Sequence, residues 1–272
     1  PIIDILYKKI KSETIELENA TYSILVIEKF ANQKSINTLI KLTNNTEHTL
    51  KIEAIEALRR LKWKYDYLQI KDRFIVDRIL DECQLYQNTL SVIHSQIVIH
   101  YKNKEQKPES KEVDDARKGL INLLELRLDR QLQRIFRFLG VKYPPNDVDP
   151  ILNTILKGKE EQRIHAIEFL DNILDNQLKK ELIPVAESIV IGTRSEENIK
   201  KLNLKVLSEI ECYNELLKRK DFKLKLSVLY LIEKSYSSKF NPLIENILLT
   251  DTNQKIIKKI NEILENSSTT IS

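Results

Sequence analysis

Apolar residues along this chain recur three or four positions apart, the spacing that lines one face of an α-helix. The pattern is plainest in KEEQRIHAIEFLDNIL, Lys159 to Leu174, where Ile164, Ile167, Leu170, Ile173 and Leu174 share a stripe and Ala166 leaves room for a neighbouring helix. TEHTLKIEAIEALRRL, Thr46 to Leu61, repeats it with Leu50, Ala54, Ile55, Leu58 and Leu61, and Thr46 reads as its cap. Ahead of it, Ile2, Ile3, Leu6 and Ile10 predict one helix and Tyr22, Leu25, Ile27 and Phe30 a second. Ser35 is placed to cap a third, carrying Ile36, Leu39, Ile40 and Leu42.

Two longer patterns follow. One runs from about Lys71 to Tyr101 through Ile75, Ile79, Tyr86, Leu90, Ile93 and Ile97, the other from about Lys111 to Leu139 through Ala116, Leu120, Leu124, Leu128, Leu132 and Ile135. The polar stretch KNKEQKPES, broken by Pro108, separates them and reads as the tip of an antiparallel hairpin. At 1.5 Å rise per residue each arm exceeds roughly 40 Å.

Past Gly140, Pro144, Pro145 and Pro150 force a turn, since proline is not expected inside a helix. Short and long helical patterns then alternate. Ile151–Leu156 precedes the Lys159 stretch, Lys179–Ile191 precedes Glu196–Ile210, Glu211–Lys218 precedes Phe222–Tyr236, and Pro242–Leu249 precedes Asn253–Leu264. Aligning Ala166 with Ser227 and Lys259 brings Ile167, Val228 and Ile260 into one column and Leu170, Leu231 and Ile263 into another. The expected fold is all-α, a solenoid of helix pairs with one long antiparallel hairpin. Its sections are N-terminal helices at 1–68, the hairpin at 69–140, four pairs at 141–266 and a polar tail at 267–272.

Composition fits that expectation, with only four Gly and seven Pro in 272 residues. Net charge is +4, from 44 basic and 40 acidic residues, below what a dedicated nucleic-acid binder carries. Cys83 and Cys212 stand far apart and suggest neither a disulfide framework nor a zinc site. The longest apolar runs, such as Ile24 to Ile27, fall far short of the roughly 20 residues that cross a bilayer, so this chain is not expected to insert in a membrane. It begins at Pro1 and contains no Met, which leaves a removed initiator or a piece of a larger polypeptide.

The helix pairs resemble HEAT repeats, and are most similar to the helical-repeat region attached in some bacteria to transporters resembling ADP/ATP carriers of the major facilitator superfamily. The residues that carry the resemblance are RIFRFLGVKYPPNDVDPILNTILKG from Arg134, RIHAIEFLDNILDNQLKKELIPVAE from Arg163 and LLKRKDFKLKLSVLYLIEK from Leu216. It covers roughly Arg117 to Glu265. The resemblance implies a cytoplasmic accessory or scaffold module, at the cytoplasmic face of a membrane if the transporter part accompanies it, and brings no catalytic residues or cofactor.

Catalysis finds little footing in the residues themselves. His48, His94, His100 and His165 form no HExxH pattern, the four glycines build no phosphate-cradling loop, and no GxSxG occurs. No catalytic, cofactor-binding or metal-ligating residue is therefore assigned. Arg127, Arg130, Arg134 and Arg137 are spaced to share one helix face, with no carboxylate three or four residues away to answer them. They bind an anion, or they pair with carboxylates of neighbouring helices. Pairing is the preferred reading, with Glu168 and Asp171 as the partners of Arg130, Arg134 and Arg137; Asp171 lies about 40° from Ile167 on the helix and borders the core. As an acid–base pair, Glu168 and Asp171 would need a cleft.

Two further basic clusters carry aromatic neighbours. Arg59, Arg60 and Lys62 surround Trp63, and Lys218, Arg219, Lys220 and Lys223 surround Phe222. Such a surface can hold a phosphate backbone, as in HEAT-like DNA repair proteins, or can simply be a solvated face. The expected function is a non-enzymatic scaffold that binds another protein or a missing domain of its own polypeptide, with nucleic-acid binding as the alternative.

Overall fold

The computed structural model describes residues 1–12, 15–106, 109–192, 194–235 and 237–269. Among them, fourteen α-helices and one short 3-10 helix account for the regular structure and no strand occurs. The helices are α1 (Ile2–Lys11), α2 (Leu17–Lys29), α3 (Gln33–Leu42), α4 (His48–Lys64), α5 (Asp72–Gln106), α6 (Lys111–Lys142), α7 (Pro145–Lys157), α8 (Glu160–Ile173), α9 (Asn176–Ile191), α10 (Glu197–Lys201), α11 (Glu209–Leu217), α12 (Phe222–Ser235), α13 (Asn241–Thr250) and α14 (Gln254–Thr269). Contacts divide the chain into two compact units. The first comprises Pro1–Tyr86 and Asp129–Gly192, the second Gln87–Leu128 and Thr193–Ser272, so α5 and α6 each supply residues to both. This division cuts across the sections read from the sequence.

In the first unit α1 packs on α2 and α3 on α4, while α1 also meets α3 and α2 meets α4. Farther along, α7 packs on α8, and α9 covers both. The α4 stripe of Leu50, Ala54, Ile55, Leu58 and Leu61 is buried as its spacing requires. Each fully buried aliphatic side chain of this kind contributes about 1.5–3 kcal/mol. Two local expectations change. Helix α2 buries Ala20, Ser23, Ile24 and Ile27, and leaves Tyr22 and Phe30 exposed. Caps sit elsewhere than predicted: Asn32 receives the Ser35 amide at 2.9 Å and Glu47 the Thr49 amide at 3.3 Å.

Within this unit, Lys142 lies 2.8 Å from Asp72 and Arg134 2.7 Å from Glu82, which sets the first part of α5 antiparallel to the last part of α6. Pro145 opens α7 at a position where its missing N–H costs nothing, and Pro150 lies inside the helix, contrary to the sequence expectation. Only the bond to the carbonyl four residues back, that of Asn146 in the first turn, is lost there.

The second unit repeats the scheme of pairs. Helix α11 packs on α12 and α13 on α14, and the pairs stack like on like, α11 against α13 and α12 against α14. Val228, Leu231, Ile260 and Ile263, aligned from sequence alone, are all buried. Here Gln96 lies opposite Arg117 and Asn103 opposite Glu109, again an antiparallel register between α5 and α6. Lys107 and Pro108, the predicted hairpin break, lie outside the described residues, as do Tyr236 and residues 270–272; α14 runs through Thr269 into the predicted polar tail.

One predicted helix does not form. Glu196–Ile210 yields only the five-residue α10, after which Asn203 takes a left-handed φ of 48° and residues 204–208 run without helix. The hydroxyl of Ser91 donates to the Lys205 carbonyl and that of Ser95 accepts the Leu207 amide at 2.8 Å, so α5 side chains take over the backbone bonding that a helix would have supplied. Ser208 then starts α11 with a capping box to Glu211.

Candidate functional site

The arginine stripe of α6 finds its carboxylates on other helices than those expected. In the first unit Arg134, only 8 % exposed, sends Nε and Nη2 to the two oxygens of Glu82 on α5, both at 2.7 Å. Arg137 Nε lies 2.9 Å from Glu56 on α4. In the second unit Arg127 holds Asp221, with Nη2 donating to Oδ1 at 3.1 Å. Burial would lift the Asp221 carboxyl, but Arg127 and the Leu224 amide hold it below the usual carboxylate range.

Glu168 and Asp171 do not join this stripe. Glu168 sits 3.1 Å from His165 on its own exposed helix face, and Asp171 2.9 Å from Lys179 on α9. The reason is rotational: α8 turns Ala166, Ile167 and Leu170 inward, so Glu168 points to solvent and Asp171 reaches the neighbouring α9. Arg130 is exposed and has no carboxylate partner among the described residues.

The basic clusters are largely neutralised in the first unit. Arg59 reaches Asp149 and Glu56, each at 2.8 Å, and Arg60 forks onto Glu28 at 2.9 and 2.8 Å while touching Glu53 at 2.6 Å. Lys62 is drawn below its usual pKa by burial, with Asp72 opposing and Lys142 adding to the effect. Trp63 is half-exposed and donates from its indole to the Gly140 carbonyl at 2.8 Å, a packing role. In the second unit Arg219 turns inward to the Thr89 hydroxyl at 2.9 Å, whereas Lys218, Lys220 and Lys223 are exposed. Arg59, Arg60 and Arg219 thus drop out of any free basic face.

The strongest charged network was not legible from spacing. Arg117, 2 % exposed, donates to Gln96 at 2.6 Å, to Glu109 at 3.1 and 2.5 Å, and to Glu209 at 2.9 Å. Tyr213 and Lys239 add bonds to Glu209 at 2.9 and 2.8 Å. Burial favours a neutral Glu209, yet Lys239 and Arg117 keep its carboxyl below the ordinary range. Nearby α5 buries Thr89, Ser91, His94, Ser95 and Gln96. A signal for this existed: no Asp, Glu, Lys or Arg occurs from Cys83 to His100, in a chain otherwise rich in charge.

Among the described residues no cluster of His, Cys, Asp and Glu could hold a metal ion. His94 is buried, burial lowers its pKa below the usual imidazole value against the pull of Glu196, and its Nε2 has no partner among the described residues. Both thiols are buried and pushed up by desolvation, Cys212 to about 11. The depression lined by Asn153, Thr154, Lys157, Gly158 and Gln162 offers amides, a hydroxyl and one ammonium, but no acid or base pair. Among the described residues no helix is long and apolar enough to cross a membrane. Comparison with known protein families, curated proteins and solved structures finds no match to this chain.

Proposed function

We propose that this chain is a non-enzymatic helical-repeat scaffold of HEAT type, a solenoid of stacked helix pairs that binds another protein or another part of its own polypeptide. The observation that carries the reading is the like-on-like stacking within each unit: α1 on α3 and α2 on α4, then α11 on α13 and α12 on α14. Such units bury a core only by covering one another, and their outer faces are free to recognise partners. Along α2, Tyr22, Val26 and Phe30 are exposed at intervals of four, an apolar stripe of the kind that a partner helix covers. The charged side chains act as inter-helix ties, which supports a structural over a catalytic role for them.

The test is affinity capture from native extract with the chain as bait, beside a Tyr22→Asp/Val26→Asp double variant that retains wild-type circular dichroism. A defined partner, bound by the wild type and lost from the variant, is expected. A chain that stays monomeric and captures nothing at micromolar concentration contradicts the reading.

A further inference from the structure

Within the first unit, α2 buries Ala20, Ser23, Ile24 and Ile27 where α1, α3 and α4 pack on it. On the opposite face Glu18, Tyr22, Val26 and Lys29 are all exposed. At about 100° per residue these four fall within an arc of roughly 80°. Tyr22 is 58 % exposed and Val26 45 %, so two large apolar side chains meet solvent one helical turn apart.

A charge stands at each end of this face. Glu28, nearer the core, is taken by Arg60 at 2.8 Å, and Glu16 accepts the Asn19 side-chain amide at 3.4 Å. Glu18 and Lys29 have no ion-pair partner among the described residues. The order of the four residues is self-complementary. Tyr22 and Val26 are centred on position 24, and the midpoint of Glu18 and Lys29 lies half a residue away. A two-fold axis through that point, perpendicular to the helix, sets Tyr22 opposite Val26 of a second copy and Val26 opposite its Tyr22. The same axis sets Glu18 opposite Lys29 at both ends, about 8 Å from the centre.

We propose that this face of α2 docks on the same face of a second copy of the chain, as an antiparallel helix pair closed at both ends by Glu18–Lys29 contacts. The proposal rests on the reading of the Tyr22 and Val26 stripe as a docking face, and it names the occupant. One surface supplies the apolar centre and both signs of charge in symmetric order, so a copy of itself is the complement it already carries. Charge also selects the orientation. A parallel pair would set Glu18 against Glu18 and Lys29 against Lys29, whereas the antiparallel pair opposes unlike charges and unlike helix ends. With one helix from each copy, the contact is smaller than the roughly 1,600 Å² of a standard interface, so the dimer is weak and concentration-dependent.

The experiment is sedimentation equilibrium of the full chain, from micromolar to submillimolar concentration at low salt. The wild type is expected to pass from monomer to dimer across that range. Glu18→Lys and Lys29→Glu each place like charges at both ends of the homodimer and are expected to weaken it about tenfold, with unchanged circular dichroism. In an equimolar mixture of the two variants every end contact again joins opposite charges, so the mixture is expected to return close to the wild-type dimer fraction. A wild type that stays monomeric throughout, or a mixture that dimerises no better than its components, overturns the proposal. Failure of the scaffold reading is seen separately, in the capture assay, where a different protein bound through α2 would uphold that reading whatever the chain does with itself.

Discussion

Arg134 and Glu82 face each other through two parallel hydrogen bonds of 2.7 Å, both side chains buried, at a point where α5 and α6 meet within the first unit. A pair so enclosed is costly to break from one side, because the surviving charge has no water to return to. Glu82→Ala is expected to destabilise the protein by about 3–5 kcal/mol, while the Glu82→Met/Arg134→Met double variant costs clearly less. Urea denaturation followed by circular dichroism measures both. Equal losses in the single and double variants would show that packing, and not the orphaned charge, sets the penalty.

Glu168→Ala and Asp171→Ala are expected to change stability by less than about 0.5 kcal/mol each, since the Glu168–His165 pair is exposed and the Asp171–Lys179 pair is partly open to solvent. The same denaturation assay decides it. A loss of several kcal/mol would reinstate the pairing with Arg130, Arg134 and Arg137 that the sequence suggests.

The helix pattern was legible because core stripes are written in it: the buried columns Ile167, Val228, Ile260 and Leu170, Leu231, Ile263 follow from spacing alone. Which face of a helix turns outward was less so. Ile164 belongs to the predicted stripe of α8 and yet is exposed, because the small Ala166 and Ile167 set the contact line instead. Charge pairing was the least legible, since Arg134 meets Glu82 across 52 residues and Arg117 meets Glu209 across 92, and nothing in helix periodicity records a partner on another element. The interrupted helix after α10 depends on Ser91 and Ser95, more than a hundred residues upstream.

Acid should weaken the fold in a window set by His48. Its folded pKa, about 4, lies below its ordinary 6.5, so the unfolded chain binds the extra proton. The contribution is fully present above pH 6.5 and is lost as pH falls from there to about 4. His48→Asn should flatten the stability profile across that interval. Glu209 and Asp221, whose carboxyls are held low, add a further loss as pH falls through and below their ordinary values of 4.5 and 3.8. An unaltered profile in His48→Asn contradicts the assignment.

Neither thiol should react in the native state. Cys83 and Cys212 are buried and their pKa values are raised by desolvation, so thiolate is scarce and unreachable. A chromogenic disulfide reagent is expected to label none in buffer and both in denaturant. Rapid native labelling of either would mean that α5 or α11 opens far more readily than its packing implies.

Nucleic-acid binding by the second unit would fall to Lys218, Lys220 and Lys223, since Arg219 is turned inward. Three lysines give a weak, sequence-independent attraction at most, and mobility shift with duplex DNA is expected to show nothing at physiological salt. A complex that persists there would favour the nucleic-acid reading over the scaffold.

The stacked-pair architecture is tested most directly by native-state hydrogen exchange, read helix by helix by mass spectrometry through rising, sub-denaturing urea. In a repeat stack, stability is local to each pair and its neighbour, so α13 and α14 should open together and before α11 and α12. A single opening free energy shared by all four helices would contradict the account.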